Sequence, residues 1–252
     1  MRKEIELISI GSELLSGRTL NTHAQTLGAA LTRIGLRLTR DTTIPDGIEV
    51  IQSAVREAFD RADIVVLSGG LGPTVDDITR DAIAGFLSCG IVTSPEALGA
   101  LRRKYVERGR VVTPAAERQA LVIEGAVPLL NAVGAAPGER LELPDGKVLF
   151  IVPGPPGEFA AVLEDHIVPW LRETFADAVP LDERVVHTQG IGESDIVTRL
   201  EEENFQCPEV DIGFYPGRGR VEIRLSAPQA KSAALDAAEN ALRELLHDHL
   251  SE

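Results

Sequence analysis

Apolar residues first gather at residues 5–10, alternating at first and interrupted by Glu6 and Ser9, and the run stops at Gly11-Ser12-Glu13-Leu14-Leu15-Ser16-Gly17. That texture predicts a first strand. Over residues 22–34, Ala24, Leu27, Leu31 and Ile34 recur at helical spacing, with Gly35 where a C-terminal cap belongs. Residues 36–43 read as a second strand. Pro45-Asp46-Gly47 then turns the chain into a helix with Ile48, Ile51, Val55 and Phe59 on one face. Residues 63–67, wholly apolar after Asp63, predict a third strand buried on both faces. Strand, helix, strand, helix, strand is the signature of right-handed βαβ crossovers and a parallel sheet.

Further along, Ile78, Ala82 and Phe86 carry a helical stripe towards Gly90. Ser94-Pro95 and Thr113-Pro114 each read as an N-cap followed by proline at the first helical position. Strand texture returns at 121–123 and 127–130, and residues 141–143 and 148–152 are predicted to pair across Pro144-Asp145-Gly146-Lys147. A helix carrying Phe159, Val162, Leu163, Ile167, Trp170 and Leu171 closes a first domain, 1–173. The pattern lapses over 174–181, where Pro180 intervenes. Beyond it, strand 184–188, helix 194–200, strands 210–215 and 220–226 and helix 231–249 give a βαββα order, so 182–252 is a small α+β domain. Gly217-Arg218-Gly219 is a strand-connecting turn rather than a nucleic-acid clamp, because no basic cluster surrounds it.

The 252 residues are 44% hydrophobic, enough for a sizeable core. No window reaches the roughly eighteen apolar residues of a membrane span, and Met1-Arg2-Lys3-Glu4 leads straight into the first strand, so a cytoplasmic protein without membrane attachment is expected. A formal net charge of −14 argues against nucleic-acid partners, whose binding depends on neutralising phosphates with Lys and Arg. Cys89 and Cys207, far apart and outside any CxxC spacing, support neither a disulfide framework nor a thiolate zinc site and read as buried small hydrophobes. His166, His187, His247 and His249 are assigned structural or surface roles.

The chemistry concentrates where the third strand ends, at Ser68-Gly69-Gly70-Leu71-Gly72-Pro73-Thr74-Val75-Asp76-Asp77. Three glycines permit positive φ and close approach of main-chain N–H groups, a turn suited to an anion such as phosphate. Asp76 and Asp77 would repel that phosphate unless a cation lay between, so the loop reads as backbone donors plus a carboxylate for a divalent metal or a ligand hydroxyl. The alternative is a plain strand-to-helix connection with Asp77 as N-cap. Arg80 is a candidate base for the same phosphate. Glu13 lies just past the first strand, at the edge where open parallel sheets bind ligands. Asn131-Ala132-Val133-Gly134-Ala135-Ala136-Pro137-Gly138 and Pro153-Gly154-Pro155-Pro156-Gly157-Glu158 are two more loops of that kind, and four on one edge argue for a site.

These strings, together with Gly190-Ile191-Gly192-Glu193-Ser194 and Gly213-Phe214-Tyr215-Pro216, give a chain that resembles the competence/damage-inducible CinA family over nearly its whole length. The resemblance implies a three-layer, mostly parallel α/β sheet of molybdopterin-binding (molybdenum cofactor biosynthesis) type, followed by a small KH-like domain. It implies metal-dependent (Mg, Mn or Co) hydrolysis of ADP-ribose to AMP and ribose 5-phosphate, and a homodimer. On that reading Asp77, Asp76 and Glu13 are the catalytic and metal-binding carboxylates. The Ser68 to Thr74 amides (Ser68, Gly69, Gly70, Leu71, Gly72, Thr74), with Pro73 in the same turn, hold the diphosphate. Asn131, Gly134, Pro137, Gly138, Pro153, Gly154, Pro155 and Glu158 complete the substrate site, and Asp46 takes a ribose or pterin hydrogen bond. Longer members carry a C-terminal nicotinamide mononucleotide deamidase domain; with the sequence ending at Glu252, no amidase activity is expected. Two positions depart from the family: His23 follows Thr22 where Asn is usual, and Ala135 stands where Thr is usual. The rival readings are adenylyl transfer to molybdopterin and a non-catalytic nucleotide- or pterin-binding module.

Overall fold

The computed structural model describes residues 4–251. The chain divides into two compact units, one of residues up to 31 with 37–176 and the other of 32–36 with those from 177 onward. The first unit runs β1 (Ile5–Ile10), α1 (Ser12–Leu15), α2 (His23–Thr32), β2 (Arg40–Ile44), α3 (Ile48–Phe59), β3 (Ile64–Ser68), α4 (Thr79–Leu87), β4 (Ile91–Thr93), α5 (Pro95–Glu107), α6 (Pro114–Glu117), β5 (Leu121–Ile123), β6 (Val127–Leu129), β7 (Gly138–Glu142), β8 (Val148–Val152), α7 (Pro156–Val162) and α8 (Val168–Thr174).

Six strands form one sheet in the order β2-β1-β3-β8-β7-β6, while β4 and β5 make a separate antiparallel pair. β2, β1, β3 and β8 are mutually parallel, and β7 is antiparallel to both β8 and β6. Strand β6 therefore runs the same way as β8. Ile8, Ile10, Val65, Leu67, Leu149 and Ile151 cluster with Ile51 and Val55 of α3 and Ala82 and Ile83 of α4 on one face. The alternate residues Leu7, Val66 and Phe150 are equally buried, so the opposite face is covered too, with Phe150 edge-on to Trp170 of α8. Burial on both faces is what makes these strands read as unbroken apolar runs.

Register aligns the strand ends. Ile10 lies opposite Ile44, Ser9 opposite Ser68, Ser68 opposite Val152, and Gly138 joins the end of β6 at Leu129. The loops that follow β2, β1, β3, β8 and β6 thus leave the sheet along one edge.

Several boundaries differ from the sequence expectation. Strand β2 starts at Arg40 rather than 36 because its partner β1 begins at Ile5, whose carbonyl accepts from Thr39. Strand β7 starts at Gly138 rather than 141, drawn out by pairing with β6. The left-handed residue ending α4 is Ser88, at φ 56°, not Gly90. The single helix expected from Phe159 to Leu171 is interrupted by a π-turn over Leu163–Ile167, where the Val168 N–H bonds the Leu163 carbonyl. Pro169 follows, with no N–H to continue the ordinary ladder. Both cysteines are half-buried rather than buried.

Arg80 is not a ligand base. It is 6% exposed and pairs with the fully buried Glu139 of β7, Nε to Oε1 2.6 Å. Its remaining donors reach the carbonyls of Leu71 at 3.1 Å and Pro137 at 3.4 Å, and Glu139 Oε2 accepts from the Ile123 N–H at 2.8 Å. One guanidinium thus ties α4 to the glycine loop, to the start of β7 and, through Glu139, to β5.

The second unit has β9 (Leu181–Gln189), α9 (Glu193–Glu202), β10 (Asp211–Gly217), β11 (Arg220–Pro228) and α10 (Ser232–Leu245), with an antiparallel sheet ordered β10-β11-β9. Its core joins Val186, Ile223 and Leu225 of the sheet to Ile196 of α9 and Leu235 and Leu242 of α10. Arg218 and Gly219, the latter at φ 72°, are the two-residue turn between β10 and β11. Among the described residues no helix is long and apolar enough to cross a membrane.

Replacing Arg80 by Met is expected to cost about 3–5 kcal/mol of unfolding free energy, because Glu139 is left charged and unpaired in the interior. Urea denaturation measures it. The double variant Arg80→Met/Glu139→Leu is expected to recover part of the loss, whereas equal stability of Arg80→Met and wild type would show that the pair does not hold this region.

Candidate functional site

The aligned edge opens into a crevice of about 640 Å³, within the size range of small-molecule sites. Its centre is the turn after β3. Gly69 has φ 111° and Gly70 φ 67°, and an added Cβ would lie 2.3 Å from the Ile10 carbonyl oxygen at the first and 2.1 Å from Thr79 Oγ1 at the second. Only glycine fits either position. Thr79, fully buried, closes the turn from beneath: its hydroxyl donates to the Gly69 carbonyl at 2.9 Å and its N–H to the Gly70 carbonyl at 3.3 Å.

The backbone donors expected from Ser68 to Thr74 narrow to fewer. Gly69 N–H is taken by the Val152 carbonyl at 3.0 Å and Thr74 N–H by Asp77 Oδ2 at 2.8 Å, and Pro73 has none to give. Among the described residues, no protein acceptor engages the N–H groups of Gly70, Leu71 and Gly72. Asp77 is not a helix cap, since the position before α4 is Ile78 and carries no side-chain cap. Its carboxylate folds back under the loop, and a Cβ on Gly72 would meet Asp77 Oδ2 at 2.6 Å. The Thr74 hydroxyl also bonds Asp77 Oδ2. Hydrogen bonding from Thr74 and from its own backbone N–H holds the exposed Asp76 carboxyl below the usual carboxylate range.

Glu13, Asp46, Gly69, Gly70, Leu71, Gly72, Pro73, Asp76, Asp77, Gly134, Pro153, Gly154, Pro155 and Glu158 all line this crevice. Asp46 is braced by the Ser12 N–H and hydroxyl, 2.9 and 2.8 Å from its Oδ2. Four residues expected at the site stand behind it instead, and the exposed Thr74 is turned onto Asp77. Ser68 is buried. Pro137 and Gly138 are buried at the start of β7. Asn131 is buried and builds its loop: its amide donates to Glu158 Oε2 at 2.6 Å and the Ala136 carbonyl at 3.0 Å, while its Oδ1 accepts from Val133 and Gly134. Lys104 of α5 secures the same loop through the carbonyls of Asn131 and Gly134, and burial there lowers its pKa.

Sequence reasoning passed over Leu14, Leu20, Arg108 and Gln119, which also line the crevice. Leu14 sits inside the Gly11 to Gly17 string as an apolar neighbour of Glu13, while the other three belong to connections without a strand-end or glycine signature, and only a βαβ geometry already in hand would have pointed to them. His23, noted solely as a departure, is 5% exposed and central. It stacks on Phe159, with centroids 4.3 Å apart at 16°, and its Nδ1 is 3.0 Å from Ser68 Oγ. Burial pushes its pKa below the ordinary value, partly offset by an acceptor in the Gly154 backbone.

The charge balance of the lining is lopsided: five carboxylates (Glu13, Asp46, Asp76, Asp77 and Glu158) and, among the described lining residues, one Lys or Arg, Arg108. Among the described residues no three His, Cys, Asp or Glu side chains are gathered into a ready-made metal cluster, so Glu13, Asp76 and Asp77 do not converge as a trio. Oxygen ligands offered one or two at a time, next to unengaged N–H groups that suit a phosphate, fit a hard divalent cation of the kind held jointly by protein carboxylates and ligand phosphates.

The fold and this edge define a molybdopterin-binding type α/β domain: the family model described as "Probable molybdopterin binding domain" matches residues 6–173, and that of the "Damage-inducible protein CinA KH domain" matches 183–252. A protein of Pyrobaculum calidifontis is 38% identical over 254 residues, covering 97% of this chain and 96% of its own length. A CinA-like protein of Salinibacter ruber is 37% identical over 249 residues; the chain spans 60% of that relative's length. The crystal structure of the protein CinA from Thermoplasma acidophilum is 36% identical with a TM-score of 0.59, covering 65% of this chain and 95% of that one. The chain belongs to the CinA-like family.

Gly69→Ala is expected to destabilise the protein by at least about 2 kcal/mol in chemical denaturation, since it combines a disfavoured φ with a backbone clash. Because burial lowers the His23 pKa in the folded state, the unfolded chain takes up its proton first as pH falls through about 6.5. Stability from this residue is complete above that pH and declines below it. Denaturation midpoints between pH 7.5 and 5 should therefore fall more steeply for wild type than for His23→Phe; parallel curves would show that His23 does not titrate differently on unfolding.

Proposed function

We propose that the crevice binds a nucleoside diphosphate sugar, ADP-ribose, and hydrolyses its diphosphate with a divalent cation, water adding across the bond to give AMP and ribose 5-phosphate. The observation that carries this reading is the juxtaposition, at one strand end, of three unengaged backbone N–H groups with the carboxylates Asp76 and Asp77. Gly70, Leu71 and Gly72 donate to the diphosphate oxygens, which accept them without a rearrangement of the turn, because Thr79 and Gly69 already fix its path. Asp77 and Asp76 would hold the cation, with Glu13 on the same lining but apart from them; such a cation would offset phosphate charge and lower the pKa of a bound water, supplying hydroxide as the nucleophile. Thr74 orients the Asp77 carboxylate, and its hydrogen bonding holds the Asp76 carboxyl below the usual carboxylate range. Asp46, with one oxygen already braced by Ser12, offers the other to a ribose hydroxyl. Arg108, the one guanidinium among the described lining residues, offsets part of the ligand's charge.

The match to the molybdopterin-binding family model supports a second reading, in which the same turn holds a pterin phosphate and no bond is cleaved. Incubating purified protein with ADP-ribose and Mg²⁺, Mn²⁺ or Co²⁺ and following AMP by chromatography separates the two. Release of AMP is expected, abolished by EDTA, with Asp77→Asn lowering kcat/KM about 100-fold or more. Tight binding without AMP release would favour the pterin reading, and full turnover by Asp77→Asn would remove that residue from the chemistry.

A further inference from the structure

His23 touches three separate pieces of the site at once. Its ring lies flat against Phe159 of α7, its Nδ1 meets the hydroxyl of Ser68 at the end of β3, and the Gly154 backbone after β8 offers it an acceptor. Ser68 Oγ lies as well 3.3 Å from the Pro153 carbonyl, so the hydroxyl that meets the imidazole at the end of β3 also sits against the loop after β8, its single proton going to one of the two at a time. Those loops press on each other: a Cβ on Gly154 would stand 3.3 Å from the Gly69 Cα. Ser68 is the residue immediately before Gly69, and the Gly69 N–H bonds Val152. Nothing about a helix start requires this. The first residue of α2 needs no buried, doubly engaged imidazole; the Asn21 side chain already accepts from the His23 backbone N–H at 3.1 Å and serves the helix end.

We propose that His23 is a positioning residue for the phosphate-holding turn: through Ser68 and the Gly154 backbone it sets the spacing between the loops after β3 and β8, and thereby the aim of the Gly70, Leu71 and Gly72 N–H groups. The inference rests on the assignment of that turn to a diphosphate. It differs from a contribution to bulk stability because the imidazole's polar contacts go to site loops, while its apolar face alone packs on α7. Phenylalanine in its place keeps the stacking and removes the ring nitrogens; glutamine restores a polar group that can reach Ser68.

The test compares wild type, His23→Phe, His23→Gln, Ser68→Ala and the double variant His23→Phe/Ser68→Ala. In the free protein, amide hydrogen exchange at Gly69 and Thr79, the two bonded N–H groups of the turn, is expected to quicken about tenfold in His23→Phe. The amides of Val65 and Val66 in β3 are expected to stay at the wild-type rate. With ADP-ribose and Mg²⁺, KM is expected to rise about tenfold at nearly unchanged kcat, with His23→Gln recovering most of the loss and the double variant no worse than either single one. Unchanged exchange at Gly69 and Thr79, or fully additive losses in His23→Phe/Ser68→Ala, would overturn the proposal. Wild-type protein that neither binds nor cleaves ADP-ribose would overturn the functional reading instead, and the exchange rates, which need no ligand, would still decide the role of His23.

Discussion

The ion pair between Arg80 and Glu139 is the constraint on which the rest of the first unit depends. An ion pair withdrawn this far from water is tolerated only when the charges meet and the leftover hydrogen-bonding capacity is used. Here it is used on the backbone of three other segments, at Leu71, Pro137 and Ile123. The fork of the guanidinium matters, because an ammonium in its place would meet Glu139 without the planar reach to both loops. A consequence for function follows directly. A buried, saturated arginine cannot serve a ligand, so the donors left facing the crevice are main-chain N–H groups and, among the described lining residues, Arg108.

The site is otherwise a product of register. Parallel strands whose last residues lie side by side, Ile44, Ile10, Ser68 and Val152, start their loops about 4.8 Å apart. The reversal of β7 brings β6 back into the same direction and adds the Asn131 loop to that row. Each loop is then stiffened from behind rather than by the ligand: Thr79 under the glycine turn, Asn131 and Lys104 under their loop, Ser12 on Asp46, His23 between the two central loops. Several residues that the loop strings single out belong to this backing. The distinction is one of burial, which separates a side chain that meets a ligand from one that shapes the surface a ligand meets.

The acidity of the chain takes on a local meaning at this edge. A net charge of −14 spread over the surface says only that polyanions are poor partners. At this edge it is concentrated as five carboxylates beside unengaged N–H donors, so groups of opposite electrostatic preference share one lining.

Much of this was legible in the residue order. The apolar texture of residues 5–10 named β1, the unbroken run at 64–67 named β3, the 3.6 spacing of Ile51, Val55 and Phe59 named α3, and Ser94-Pro95 and Thr113-Pro114 marked helix starts whose hydroxyls do accept from Ala97 and Ala116. The glycine turn and its acidic pair stood out because positive φ and like charges side by side are local properties, written in consecutive residues. What the order of residues left open was every feature made by partners distant in the chain. Arg80 and Glu139 are 59 positions apart, His23 and Ser68 are 45 apart, and Arg108 reaches the crevice from a helix end with no signature of its own. Local propensity determines which segments become strands, helices and turns. Only the packed sheet decides which charged groups lose their water, and that loss, more than residue identity, separates Arg80 as a structural tie from Asp77 as a group left facing solvent and ligand.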